Sequence, residues 1–487
     1  MTDSVPTAPN VAALARWLGS WVTGEGAING FHNHSVWGTN PATFQDFTSG
    51  HAAFSAPALG AYAEALAAHP DERGLELWRR MMRYQAHALQ PDGQYRHIGF
   101  QVGESATNGL IHNAVGSLGL LLGLRHAGHL LPADETAHAL ATVRRNLDAC
   151  EKYGGGRPGE LGTCNQEYAR VWVKLLYTEL SGDSAFTDEI PKDLDTLIDL
   201  FHHQGVPDAD SAGAFRAVTD RHDGGILEPT EYYGLMIAPL LHAARRYGVR
   251  RYLDEALRLC RHVARSCWTD GDGLTRFHRY WYITRHGRAL KTDTPMLIAG
   301  MGLTLYGIDE VLAQQPDPEL ADFVARCLRT YARHQTPAGY FTSATGWHNE
   351  ADVAPSTAWH AHDLLFLTSH GLRRTGLPNG FWDTVLTPDR RQSVLAGDRA
   401  FYAEHGPHWC VLSPLTAGDL HLYGRKDRST FAREFFAWTD REELPAELRY
   451  PDPPMFFVSG DGIHRVDPSD RPTDVSVIGH LPYKGTL

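Results

Sequence analysis

Twelve helix-length segments of this chain are joined by connections that alternate strictly between short and long, and this alternation limits the fold more than any motif does. Hydrophobic periodicity and helix breakers place the segments near 10–22, 52–69, 73–88, 109–127, 134–150, 164–182, 189–203, 230–247, 250–268, 294–314, 317–333 and 356–373. The connections near 70–72, 128–133, 183–188, 248–249 and 315–316 are short, whereas 23–51, 89–108, 151–163, 204–229, 269–293 and 334–355 are long. In antiparallel helices every second connection falls at the same end, so the long ones are expected on one face.

Two compositions alternate with the connections. GLELWRRMMRYQAHAL and DPELADFVARCLRTYAR carry one apolar stripe and one charged face, as an outer layer requires. GLIHNAVGSLGLLLGLRHA and TPMLIAGMGLTLYGIDEVLAQ are apolar nearly all round and rich in Gly and Ala, as an inner layer of closely approaching backbones requires. The fold expected is therefore all-α, an (α/α)6 toroid of six helical hairpins over residues 1–373. Each inner helix follows a long connection, so its N-terminus faces the crowded rim, with Asn108, Thr163, Thr230, Thr294 and Ser356 as candidate caps.

Residues 374–487 change character: Pro and Gly are frequent, and HWCVLSPL, GDLHLYGR, PMFFVSGDGIHRV and DVSVIGHL alternate like strands. They are expected to form a small β-rich C-terminal appendage on the toroid.

A formal charge of −12, with no basic tail or stripe, argues against a nucleic-acid partner. The N-terminal MTDSVPTAPN has neither a basic nor an apolar signal region and no run reaches membrane-span length, so a cytoplasmic location without membrane association is expected. The six cysteines lack zinc-ligand spacing and read as buried thiols.

Candidate chemistry gathers in the long connections. The first carries Asn33, His34 and Trp37; the second His97, Asn108 and His112; the third leads to Asn165. The fourth carries Glu228, Glu231 and Tyr233; the fifth Arg276, His278, Arg279, Tyr280 and Tyr282; the sixth Trp347 and His348. Aromatic rings stack on pyranose faces, while amides, imidazoles and guanidinium groups bind hydroxyls and carboxylates, so the pattern suits an oligo- or polysaccharide, in particular an anionic one.

With those residues in place, residues 10–373 resemble the (α/α)6-toroid carbohydrate-active enzymes, the polysaccharide lyase and glycoside hydrolase group. HNHSVWG at 32–38 is similar to the Asn-Asn-His-Ser-Tyr-Trp segment of toroid alginate-type lyases, with His32 in place of the first Asn. That resemblance implies β-elimination from a uronate. Asn33 with Arg279 would then neutralise the carboxylate, His34 or His112 would take the proton, and Tyr280 or Tyr233 would protonate the leaving oxygen. Trp37, His97, Asn108, Asn165, Arg276, His278, Tyr282, Trp347 and His348 would bind substrate.

Hydrolysis is the alternative, and it needs paired carboxyl groups. Glu104, Asp223, Glu228, Glu231, Asp293 and Glu350 are candidates, and Glu228 and Glu231 are three apart at a helix start. The His32/His34 and His360/His362 pairs raise a metal, but imidazoles two apart on a helix diverge, and neither metal nor cofactor is expected. QPDGQY and HQTPAGYF resemble turns of terpenoid cyclase-like toroids, without an aspartate-rich acid segment. A non-catalytic glycan-binding protein would not need so many titratable groups. Self-association, if any, is expected to be a homodimer.

Overall fold

The computed structural model describes residues 8–20, 22, 26, 28, 55–89, 91–95, 110–153, 158, 163–202, 225–269, 271, 273–278, 281–283, 289–291, 295–296, 300–337, 339–341 and 357–387, with five strands between 411 and 479. In chain order the helices are α1 (Val11–Gly19), α2 (Pro57–Ala68), α3 (Glu72–His87), α4 (Leu110–Ala127), α5 (Ala133–Tyr153), α6 (Cys164–Ser181) and α7 (Glu189–Phe201). They continue as α8 (Gly234–Tyr247), α9 (Arg250–Arg265), α10 (Gly302–Gln314), α11 (Pro318–His334), α12 (Thr357–Arg374) and the short α13 (Phe381–Val385).

Packing sorts the first twelve into two layers. The even-numbered helices form a closed ring, α2 against α4, α6, α8, α10 and α12 in turn, and α12 returns to α2. The odd-numbered helices lie outside. Their amphipathic stripes explain the layer: α3 buries Leu77, Trp78, Met81 and Met82, and α9 buries Tyr252, Ala256, Leu259, Cys260 and Val263. Inner helices are enclosed almost all round, and α10 is buried from Gly302 through Leu312. The molecule is thus an (α/α)6 toroid of six helical hairpins, as the alternation of connections predicts.

Adjacent inner helices touch backbone to backbone where glycine allows it. A Cβ on Gly234 of α8 would lie 1.8 Å from the Leu303 carbonyl oxygen of α10, and one on Gly302 would lie 2.1 Å from the His362 carbonyl of α12. Side chains are excluded at both contacts.

A recurring turn fixes where the rim connections begin. After α3 the chain doubles back so that Leu89 bridges Tyr95, and after α11 Gln335 bridges Phe341. Gly93 (φ 84°) and Gly339 (φ 109°) make these reversals in a conformation that L side chains rarely adopt. Each glycine also rests on the next outer helix, Gly93 against the Arg145 carbonyl of α5 and Gly339 against the Ala13 carbonyl of α1. The following aromatic is tied to the next inner helix: Tyr95 N–H donates to Asn113 Oδ1 at 2.8 Å and Phe341 N–H to His360 Nε2 at 2.9 Å. The similarity between QPDGQY and HQTPAGYF is therefore a feature of ring construction, not of cyclase chemistry.

Helix boundaries follow the sequence reading within a few residues, with one large departure. The segment expected at 294–314 becomes helical only at Gly302, because Pro295–Met296 pairs as a strand. The fourth and fifth connections carry β1 (Gly225–Ile226), β2 (Cys267–Thr269), β3 (Thr275–His278), β4 (Trp281–Ile283), β5 (Ala289–Lys291) and β6 (Pro295–Met296). They form antiparallel sheets ordered β1-β4-β5 and β2-β3-β6. The sequence reading treats 204–229 and 269–293 as loop and places Cys267, Trp268, Pro295 and Met296 in helices.

The C-terminal strands match the four alternating segments. β7 (Val411–Leu412), β8 (Leu420–Tyr423), β9 (Met455–Ser459), β10 (Gly462–Val466) and β11 (Ser476–Gly479) make one antiparallel sheet ordered β11-β10-β9-β8-β7. Before it, α13 packs on the ring: Trp382 Nε1 donates to the His69 carbonyl at 2.7 Å, and Phe381, Trp382 and Val385 are buried. Contacts with the toroid thus extend beyond residue 373.

At the end of the ring opposite the long connections, inner-helix C-termini enclose a polar cluster. Glu64 of α2 accepts a hydrogen bond from Ser369 of α12 and lies 3.2 Å from His126 Nε2 of α4, while Arg373 pairs with Asp309 and Glu310 of α10. Burial raises the Glu64 carboxyl to about 7 and lowers His126 to about 4, so between those values their contact joins two neutral groups. The folded Glu64 value exceeds its ordinary 4.5, so its contribution to stability is complete below that pH and is lost as pH rises through about 7. Glu64→Gln is expected to remove that share of the pH dependence, measured by denaturant midpoints between pH about 5 and about 8.

Candidate active site

Strand pairing brings two long connections together at the N-terminal ends of the inner helices. Gly225 pairs with Ile283 and Ile226 with Tyr282, so the chain entering α8 lies beside the chain entering α10. After β1, Leu227 and Glu228 are buried and Thr230–Tyr232 forms a 3-10 turn before α8 begins at Gly234. Thr304 of α10 holds this turn: its hydroxyl donates to the Thr230 carbonyl at 2.8 Å and accepts from Gly234 N–H at 3.2 Å. Thr230 is thus part of a turn rather than the cap of α8.

The turn places two carboxyl groups inside the protein, Glu228 at 3% exposure and Glu231 at 1%. Asn165, in the first turn of α6, donates from Nδ2 to Glu228 Oε1 at 2.6 Å. Glu228 Oε2 has no hydrogen-bond partner among the described residues. Burial pushes the Glu228 carboxyl well above the usual range; the hydrogen bonds from the side chain and backbone of Asn165 pull it back, and the neighbouring Glu231 raises it again. The net effect is a carboxyl that holds its proton more tightly than an exposed glutamate does.

The start of α10 is organised by a residue the sequence reading passes over. Met301 occupies the cap position without a side-chain cap bond, and Thr294, the expected cap, lies outside the described residues. Asp363 of α12 supplies the acceptors instead. Its Oδ1 receives Gly302 N–H at 3.0 Å and the Tyr331 hydroxyl at 2.6 Å, and both oxygens receive Gly300 N–H at 2.9 Å. Burial raises Asp363 to about 8 against the lowering effect of those donors. A single Asp directly after WHAH, before the apolar run LLFL of an inner helix, is the available sequence signal. The two neighbouring histidines point to different places, as their spacing on a helix predicts: His360 anchors Phe341 and His362 packs edge-on to Trp359, 5.5 Å between ring centroids.

The expected site residues divide accordingly. Glu231 and Asn165 meet at the Glu228 carboxyl, and the Tyr282 backbone lies across from Ile226 in the same sheet. Tyr233 is fully buried with its ring 5.2 Å from that of His262, so it points into the interface with the outer helix α9. Arg276 on β3 reaches His334 Nε2 at 3.3 Å, at the end of the outer helix α11. His112, His278 and Tyr282 lie on described backbone in α4, β3 and β4. Asn33, His34, Trp37, His97, Asn108, Arg279, Tyr280, Trp347 and His348 lie outside the described residues. Among the described residues no three His, Cys, Asp or Glu side chains converge as a metal site, and no helix is long and apolar enough to cross a membrane.

No protein-family model and no curated protein matches the chain. Solved structures share its fold. A sugar epimerase from a ruminal bacterium aligns with a TM-score of 0.50 at 10% identity, covering 74% of this chain and 99% of the epimerase. A family 76 glycoside hydrolase from a bovine Bacteroides thetaiotaomicron strain aligns with a TM-score of 0.51 at 11% identity, covering 75% of this chain and 78% of the hydrolase. At such identities the likeness establishes the toroid and transfers no residue role.

Proposed function

We propose that this protein is a carbohydrate-active enzyme that cleaves a glycosidic linkage, with Glu228 as the proton donor to the leaving oxygen. One observation carries the reading: a buried carboxyl, held above the usual carboxylate range by burial, has one oxygen bonded by Asn165 and the other without a described partner, at the end of the toroid that bears the long connections. Departure of a sugar oxygen needs such an acid. The aromatic and basic residues of the long connections support a sugar ligand, and the shared fold of a sugar epimerase and a glycoside hydrolase is in keeping with it.

The neighbouring carboxyls favour hydrolysis over elimination. Hydrolysis asks for a pair of carboxyl groups, and Glu231, which acts on the Glu228 carboxyl, is the partner nearest in the chain. Elimination from a uronate would draw on Asn33, His34, Arg279 and Tyr280, with an anionic polysaccharide as substrate. The two reactions part in one assay. Incubation with neutral and uronate-containing oligosaccharides should release reducing ends without ultraviolet absorbance; absorbance from a conjugated unsaturated product would select elimination. Release of neither from any glycan would remove the proposal.

A further inference from the structure

We infer that Asn165 is a positioning residue that fixes the reactive proton of Glu228 on Oε2, an inference that rests on reading Glu228 as the proton donor. A neutral carboxyl has one hydroxyl oxygen and one carbonyl oxygen, and the carbonyl oxygen is the stronger acceptor for an N–H group. Asn165 Nδ2 stands 2.6 Å from Glu228 Oε1, a gap with room for one hydrogen. That hydrogen belongs to the amide, so Oε1 is the carbonyl oxygen and the acid proton sits on Oε2.

The position of Asn165 in the fold makes this constraint firm. It is the second residue of α6, where backbone N–H groups have no partner within the helix and favour a carboxyl placed beside them. Asn165 thus holds the carboxyl from a helix start that is itself 9% exposed or less at Cys164 and Asn165. On the other side, the Glu228 backbone is set by β1 and by the Thr304-held turn. The carboxyl can neither rotate to exchange its oxygens nor present the proton elsewhere without breaking the Asn165 bond. Asn165 therefore acts through Glu228 and not by contact with substrate, which differs from the substrate-binding role its sequence context suggests.

The test uses the full chain with Asn165→Ala and Asn165→Ser, the second preserving a small polar side chain should the first fold poorly. Glu228 is followed by infrared difference spectroscopy against Glu228→Gln, which reports its carboxyl titration whether or not the enzyme turns over. Loss of the amide donor should move the Glu228 titration midpoint upward, lower kcat by about 10-fold or more, leave KM within about 2-fold, and carry the alkaline limb of the pH–rate profile upward with it. Serine should restore part of each change. An unmoved midpoint, or a rise in KM with kcat retained, overturns the positioning role while leaving Glu228 as the donor. Wild-type turnover in Glu228→Gln removes the donor reading itself, and the infrared midpoint then still decides whether Asn165 governs the carboxyl.

Discussion

Glu228→Gln is expected to lower turnover by about 10²- to 10⁴-fold while leaving the protein folded. Glutamine keeps the volume and the oxygen that accepts from Asn165, and it loses only the transferable proton. Because the Glu228 carboxyl is held well above the usual range by burial, the wild-type rate should fall on the alkaline side as that proton is lost. The Gln variant should show no such limb. The same shift has a stability consequence of determined sign: a raised carboxyl contributes stability below its unfolded value and loses it as pH rises through the folded one. At alkaline pH the Gln variant should therefore be at least as stable as the wild type, and a pair of pH series, one of rate and one of unfolding midpoint, checks both statements. Wild-type turnover in the variant would exclude Glu228 from the reaction.

Asp363→Ala should be the most damaging single change to the rim. It leaves the buried N–H groups of Gly300 and Gly302 and the hydroxyl of Tyr331 without their acceptor. Each such group costs about 1–3 kcal/mol, so a loss of roughly 3–5 kcal/mol is expected in denaturant unfolding. Asp363→Asn should be far milder, because an amide oxygen can occupy the Oδ1 position. The Asp363 carboxyl is raised from 3.8 to about 8, so its contribution is complete below its ordinary value and is lost as pH rises through about 8. The Asn variant should lose that dependence. Equal stability of the Ala variant and the wild type would mean that the start of α10 does not depend on this carboxyl.

The two residues were not equally visible beforehand. Glu228 and Glu231 stand out in a sequence as carboxyls three apart before an apolar run, but the same spacing serves as well for first-turn dipole stabilisation. What separates the readings is desolvation, and burial at 3% and 1% goes with contacts from α6 and α10 that are not local in sequence. Asp363 shows the same limit. Its partners at Gly300, Gly302 and Tyr331 lie 32 to 63 residues away, and a neighbouring helix caps α10 where the sequence reading sought a cap in the chain just before it.

The β-structure of the fifth connection was illegible for a related reason. Strands of two to four residues leave too few positions for a period of two to register, and Pro295 reads more readily as a helix start than as the edge of a sheet. Tyr233 shows the converse, since a tyrosine next to rim carboxyls looks exposed in the sequence, whereas its ring is buried 5.2 Å from that of His262.

Periodicity, breakers and the strict alternation of connection lengths determined by themselves that this chain forms two layers of antiparallel helices with its long segments at one end, because these are local properties of spacing and polarity. Which carboxyl keeps its proton, which amide holds it and which helix caps its neighbour were decided only by tertiary structure. Those outcomes depend on the removal of water and on distances of about 3 Å between groups far apart in the chain, and no local pattern encodes either.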